Sequence, residues 1–147
     1  MGKNNAKVVT PARPKRPSGV WALTAYSLLS AGLLPVLISI NSIITKDESA
    51  GIYTILFNML LGLTVILLSV GTWQGRDTAR RLYLIAMSLH YVLIMINNVL
   101  LLRSGLSPVG ETSTLWQQIL LSAGLLVTNW VYFNLRWIKA FYQTPTA

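Results

Sequence analysis

Four long apolar stretches, separated by short polar or charged links, set the pattern of the chain. They run over about 19–44, 51–73, 82–102 and 115–138. A helix rises 1.5 Å per residue, so about 20 residues cross the hydrocarbon of a bilayer. Each stretch reaches that length. Backbone amides and carbonyls inside lipid have no water to bond, which makes each spanning segment a helix. The pattern therefore predicts an all-α chain, a four-helix transmembrane bundle over 18–142. Its short links predict up-down-up-down connectivity.

Details within the stretches refine this reading. Trp21, Tyr26, Tyr53, Trp73, Trp116 and Trp137 lie near span ends, as interfacial aromatics do. Pro35 falls in the middle of the first span and is expected to kink the helix or end its first half. Asn41-Ser42 marks the level where that helix meets head groups. Asn58 and Gly62 are four apart, on one face, and are expected to meet a neighbouring helix and not lipid. The heptapeptide Leu-Leu-Ser-Ala-Gly-Leu-Leu occurs at 28–34 and again at 120–126. The flanks do not match, so it is read as shared membrane-helix composition and not as a repeat. In the second copy Gly124 and Thr128 form a pair of small residues suited to close helix approach.

The basic segment Gly75-Arg76-Asp77-Thr78-Ala79-Arg80-Arg81 separates spans two and three. Three arginines and an aspartate are costly in hydrocarbon, so the segment is expected as a turn at a membrane surface. Arg76, Arg80 and Arg81 then set the topology. Lys3, Lys7, Arg13, Lys15, Arg16, Arg136 and Lys139 fall on the same side, and only Lys46 and Arg103 on the other. The positive-inside rule places that first side, with both termini, in the cytoplasm.

Composition fits a membrane protein. Hydrophobic residues make up 53% of the 147 and charged residues 11%, well below the usual charged share of a soluble domain. The net charge of +8 is concentrated at span ends, where anionic lipid and topology explain it, so nucleic acid is not an expected partner. Residues 1–17 are polar, basic and proline-rich and read as a flexible tail on the membrane surface, with a second short tail over 143–147. Ala6 stands where a myristoylation signal wants Ser or Thr. The first apolar run is too long for a typical signal-peptide core and is read as an uncleaved span. The chain has no cysteine, which excludes disulfides and thiolate chemistry.

Candidate chemistry is sparse. Tyr83, His90 and Asn97 follow one another at seven-residue spacing in the third span, with Asn98 beside them. This intramembrane polar stripe is expected to face the bundle and to bond across it, to Asn58, Asn129 or Ser and Thr hydroxyls. Alternative readings make His90 an axial haem ligand, with Met87, Met95 or a second subunit supplying the other, or a proton relay or quinone contact. Trp130, Tyr132, Phe133 and Trp137 read as an interfacial belt with helix packing; a pigment or quinone platform would need a partner subunit. Asp47, Glu48, Asp77 and Glu111 all fall in links, so no span holds a carboxylate. That argues against a coupled exporter built on an intramembrane Glu. No nucleophile elbow, P-loop, zinc motif or metal-ligating cluster is present. No enzyme activity and no cofactor are expected.

Three segments together carry a resemblance. They are Arg16-Pro17-Ser18-Gly19-Val20 leading into span one, Gly71-Thr72-Trp73-Gln74-Gly75-Arg76 followed by Ala79-Arg80-Arg81, and the aromatic-basic exit over 132–139 followed by Ala140-Phe141. In these the chain resembles a broad group of uncharacterised small bacterial four-helix integral membrane proteins. Thr78 departs from the second tryptophan that the group often places before Ala-Arg. The resemblance implies the four-helix fold and the bacterial cytoplasmic membrane, and it implies no activity.

The sequence thus leads to a non-enzymatic accessory or assembly subunit of a larger membrane complex, with lipids and other membrane subunits or further copies of itself as partners. The alternative is an oligomeric channel, holin-like pore or small-solute carrier with the span-three stripe along its path. A third reading is a haem- or quinone-associated redox component using His90.

Overall fold

Helix accounts for all but the short links of the described residues, and no strand occurs among them. The structure, a computed structural model, describes residues 15–45, 51–104 and 112–143. The readings on 1–14, on Lys46, Asp47 and Glu48, on the link containing Gly105, Pro108 and Glu111, and on 144–147 lie outside the described residues.

Helix α1 covers Ser18–Ile44, α2 Ile52–Trp73 and α3 Asp77–Ser104; each is long and apolar enough to cross a membrane. Helices α4, Thr112–Asn134, and α5, Arg136–Gln143, meet at a 62° bend and make a fourth span if the pair is counted as one. The chain is a multi-pass membrane protein with three to four such helices. Its outward faces carry Leu60, Leu67 and Ile85, all exposed. Lipid tolerates such a surface; water does not.

The kink expected at Pro35 takes a particular form. Proline lacks an N–H, and its ring crowds the carbonyl four residues earlier. In α1 the turns before it, Leu28–Leu33, widen into a π-helix, after which α-helix resumes. The widened segment packs on α2 through glycine. A Cβ added to Gly62 would lie 2.7 Å from the Gly32 carbonyl oxygen and 2.7 Å from Val36 Cγ2. Two backbones therefore touch at this crossing, as membrane helices do where small residues meet. Gly62 meets a neighbouring helix here, and Ile55, Val65, Ser69 and Thr72 are buried with it.

The turn between α2 and α3 is shorter than the expected Gly75–Arg81. Gly75 adopts φ 81°, a left-handed conformation. Its N–H donates to the Thr72 carbonyl at 3.0 Å, and the Arg76 N–H donates to the Gly71 carbonyl at 3.1 Å. This pair of bonds is a Schellman cap, which satisfies the last carbonyls of α2. Helix α3 then starts at Asp77, whose negative charge suits a helix N-terminus. Arg80 and Arg81 are thus helical, and Arg80 is only 5% exposed.

The fourth apolar stretch, expected to run to 138, breaks at Leu135. In α5 the side chains of Ile138, Phe141 and Tyr142 are buried. They join Val20, Tyr83, Met87 and Phe133 in a core at the basic end of the molecule.

Candidate functional site

Next to that core, which reaches Tyr91, α1 to α4 surround a half-open cavity of about 720 Å³. Helix α1 contributes Tyr26 and Ser30, the latter from the π-helical segment, and α2 contributes Thr54 and Asn58. Helix α3 supplies His90, Tyr91, Asn97 and Asn98, and α4 supplies Gln118 and Ser122. Phe57, Leu61, Leu93, Ile94, Leu121 and Leu125 complete the walls. None of the lining residues is Asp, Glu, Lys or Arg. The wall is mostly apolar, with neutral polar groups and no charged side chain, and its residues all lie on the apolar helices.

The α3 stripe divides along its length. Tyr83 is fully buried, and its hydroxyl lies 2.6 Å from Ser27 Oγ on α1. It also approaches Asn129 Oδ1 on α4 at 3.5 Å. His90 is half-buried at the cavity wall, and Asn97 is exposed at its rim. A seven-residue step falls about 20° short of two full turns, so the three positions drift around the helix. Asn98 lies on the inner side of that drift: it is buried, and its Nδ2 donates to Gln118 Oε1 at 3.0 Å.

Tyr83 and Asn98 thus have cross-helix partners, whereas His90 has none among the described residues. Asn129, one of the partners expected for the stripe, meets it at Tyr83, whose hydroxyl donates to Asn129 Oδ1, while Asn129 Nδ2 donates to the Leu125 carbonyl at 2.9 Å within its own helix. Asn58 and Asn97 also have no side-chain hydrogen bond among the described residues. His90, Asn58 and Asn97 line one cavity with bonding capacity unspent. Neither Met87 nor Met95 lines it; Met87 lies in the core, 1% exposed. Among the described residues no three of His, Cys, Asp and Glu come together as a metal site.

The basic end has its own geometry. Asp77 Oδ1 accepts from Arg80 at 2.7 and 2.8 Å, and Asp77 Oδ2 from Arg81 at 2.8 and 2.9 Å. The third guanidinium nitrogen of Arg80, Nη1, donates to the Phe133 carbonyl at 2.7 Å. That carbonyl is among the last of α4, where the bend leaves acceptors open and the helix dipole favours a cation. The Tyr142 ring of α5 faces the same guanidinium at 5.5 Å. One arginine therefore joins the start of α3, the end of α4 and α5.

The aromatic group separates in the same region. Tyr132 meets Phe133 and Trp137 edge to face at 5.5 and 5.9 Å. Trp130 points elsewhere and donates from Nε1 to Ser88 Oγ at 2.7 Å. Arg16 lies over the Trp73 ring at 5.5 Å and ties the chain before α1 to the end of α2.

Ser30, Thr54, Tyr91, Gln118 and Ser122 are cavity residues that the sequence reading did not single out, and Tyr26, read as an interfacial aromatic, joins them. Each is polar within or beside an apolar run, a signal present in the sequence. Their convergence depends on how the helices cross. No known protein family, curated protein or solved structure matches the chain.

Proposed function

We propose that the chain is a non-enzymatic membrane protein that holds an uncharged, hydrogen-bonding ligand in the cavity between α1 and α4. It does so as a four-helix, up-down-up-down bundle in a bacterial cytoplasmic membrane, with both termini in the cytoplasm. The observation that carries this reading is the cavity wall itself. About 720 Å³ lies within the range of small-molecule sites, and Asn58, His90 and Asn97 face it without partners. Polar groups at membrane depth are costly unless bonded, and a ligand with carbonyl or hydroxyl groups would bond them. An ion would find no counter-charge among the lining side chains. A quinone head group is one chemistry that suits a neutral imidazole beside carboxamides.

The test is extraction in native-lipid nanodiscs followed by mass spectrometry of co-purifying small molecules. A neutral compound near stoichiometric amount is expected, and His90→Leu with Asn97→Leu should remove it while the protein still folds. Finding nothing enriched over empty nanodiscs would exclude the reading.

A second reading, the accessory or assembly subunit, is supported by α4. A side chain added at Gly124 would meet nothing within 4 Å, and Thr128, one turn on, is exposed. Small residues facing outward leave room for another helix. Native mass spectrometry that finds a larger assembly, lost on Gly124→Leu, would establish this role.

A further inference from the structure

At the basic end a second recess of about 320 Å³ opens between α3, α4 and α5. Its cations are Arg80, Arg81 and Lys139. Asp77 is the only acid among the described residues, and both its oxygens are taken by Arg80 and Arg81. The Lys139 ammonium has no ion pair among the described residues. The recess therefore carries a positive excess that no neighbouring acid on α3, α4 or α5 offsets.

The three cations differ in freedom. Arg80 is held by Asp77, by the Phe133 carbonyl and by the Tyr142 ring, so it is a fixed positive floor. Arg81 has 69% of its side chain exposed. It spends two N–H groups on Asp77 and keeps the remainder of its five donors. Lys139 is half-buried on α5. The amides of Asn134 and Gln143 line the same recess.

The other wall is apolar. Leu84, Ile85 and Trp130 form it, and Ile85 and Trp130 are exposed on the outer surface. Trp130 is anchored there by its bond to Ser88. A cationic rim above an exposed apolar wall, at the end of the spanning helices, matches an amphiphile with an anionic head. A soluble phosphate would use the rim alone.

We infer that this recess binds the phosphate head group of an anionic phospholipid, with Arg81 and Lys139 at the phosphate, Arg80 as the fixed charge behind it, and acyl chains along Ile85 and Trp130. Basic pockets between membrane helices on the cytoplasmic side suit such head groups. The bend at Leu135 creates the site, because it brings Lys139 back toward Arg81. The inference does not depend on the cavity ligand proposed above.

The test uses the full chain in nanodiscs of phosphatidylglycerol and phosphatidylcholine in equal amounts, with native mass spectrometry of the lipid retained longest. Phosphatidylglycerol should be enriched roughly tenfold, and Arg81→Gln with Lys139→Gln should return the ratio to that of the bulk. Arg76→Gln with Arg136→Gln, exposed cations outside the recess, should leave the enrichment intact. If the double variant does not fold, Lys139→Gln alone carries the test and should lower enrichment roughly threefold. Absence of enrichment in the unaltered protein, or equal loss in the Arg76 and Arg136 pair, would overturn the site. Displacement of the lipid by millimolar inorganic phosphate would overturn the lipid in favour of a free phosphate anion.

Discussion

Arg80 shows how much one side chain can hold in this chain. It closes the α2–α3 turn through Asp77, caps α4 through the Phe133 carbonyl at 2.7 Å and faces the Tyr142 ring of α5. Replacing it with methionine keeps much of the volume but leaves the carbonyl and one carboxylate oxygen without a donor. A hydrogen bond from a charged group contributes about 1.5–3 kcal/mol, so Arg80→Met should destabilise by about 2–3 kcal/mol in a detergent unfolding titration. Asp77→Asn should cost less, because the Phe133 and Tyr142 contacts of Arg80 survive it. An equal or larger loss in Asp77→Asn would mean that the ion pair, and not the α4 cap, is what Arg80 contributes. The sequence placed Arg80 in a charged segment at a membrane boundary, which its composition makes legible. It could not separate Arg80 from Arg76 and Arg81, because burial of one arginine among three depends on a carbonyl 53 positions away.

The helices themselves were legible where hydropathy alone decides. The second apolar stretch, read as 51–73, corresponds to α2, Ile52–Trp73. The third, read as 82–102, is the apolar section of a longer helix, Asp77–Ser104. Apolarity locates the part in lipid; the helix start is set by the Gly75 cap and by Asp77. The break at Leu135 also left a trace, since Ile138, Phe141 and Tyr142 alternate with Arg136, Lys139 and Gln143 as in an amphipathic interfacial helix. That pattern is short and adjoins an apolar run, which masks it. Helix crossings were not legible, and the glycines show why. Gly62 and Gly124 look alike in sequence, yet a Cβ on Gly62 would lie only 2.7 Å from the Gly32 carbonyl oxygen, while Gly124 faces open space. Gly62→Ala should therefore destabilise by about 1–3 kcal/mol through overpacking. Gly124→Ala should be neutral or gain up to about 1 kcal/mol of helix propensity. Parallel unfolding titrations of the two variants decide it, and similar values for both would mean that α1 and α2 do not cross at Gly32 and Gly62.

For the whole molecule, the proposals depend on orientation. The phospholipid recess belongs to the cytoplasmic leaflet only if the arginine-rich end faces the cytoplasm, and the cavity then lies toward the opposite side of the bilayer. The charge count behind that orientation includes Lys3, Lys7, Arg13 and Lys46, outside the described residues, but the described part carries the same bias: Lys15, Arg16, Arg76, Arg80, Arg81, Arg136 and Lys139 against Arg103. Since charge bias next to spans sets the orientation of membrane helices, one end should be reachable only from inside the cell. The chain has no cysteine, so single introduced thiols report without background. Thr78→Cys and Gln143→Cys, at the basic end, should resist a membrane-impermeant maleimide in intact cells and react after lysis. Thr45→Cys and Thr112→Cys, at the far ends of α1 and α4, should react in both. The reverse pattern would move the basic recess to the outer face. Labelling of Thr78→Cys and Gln143→Cys on opposite sides would mean that the bent α4–α5 pair does not return the chain to the side on which α3 begins.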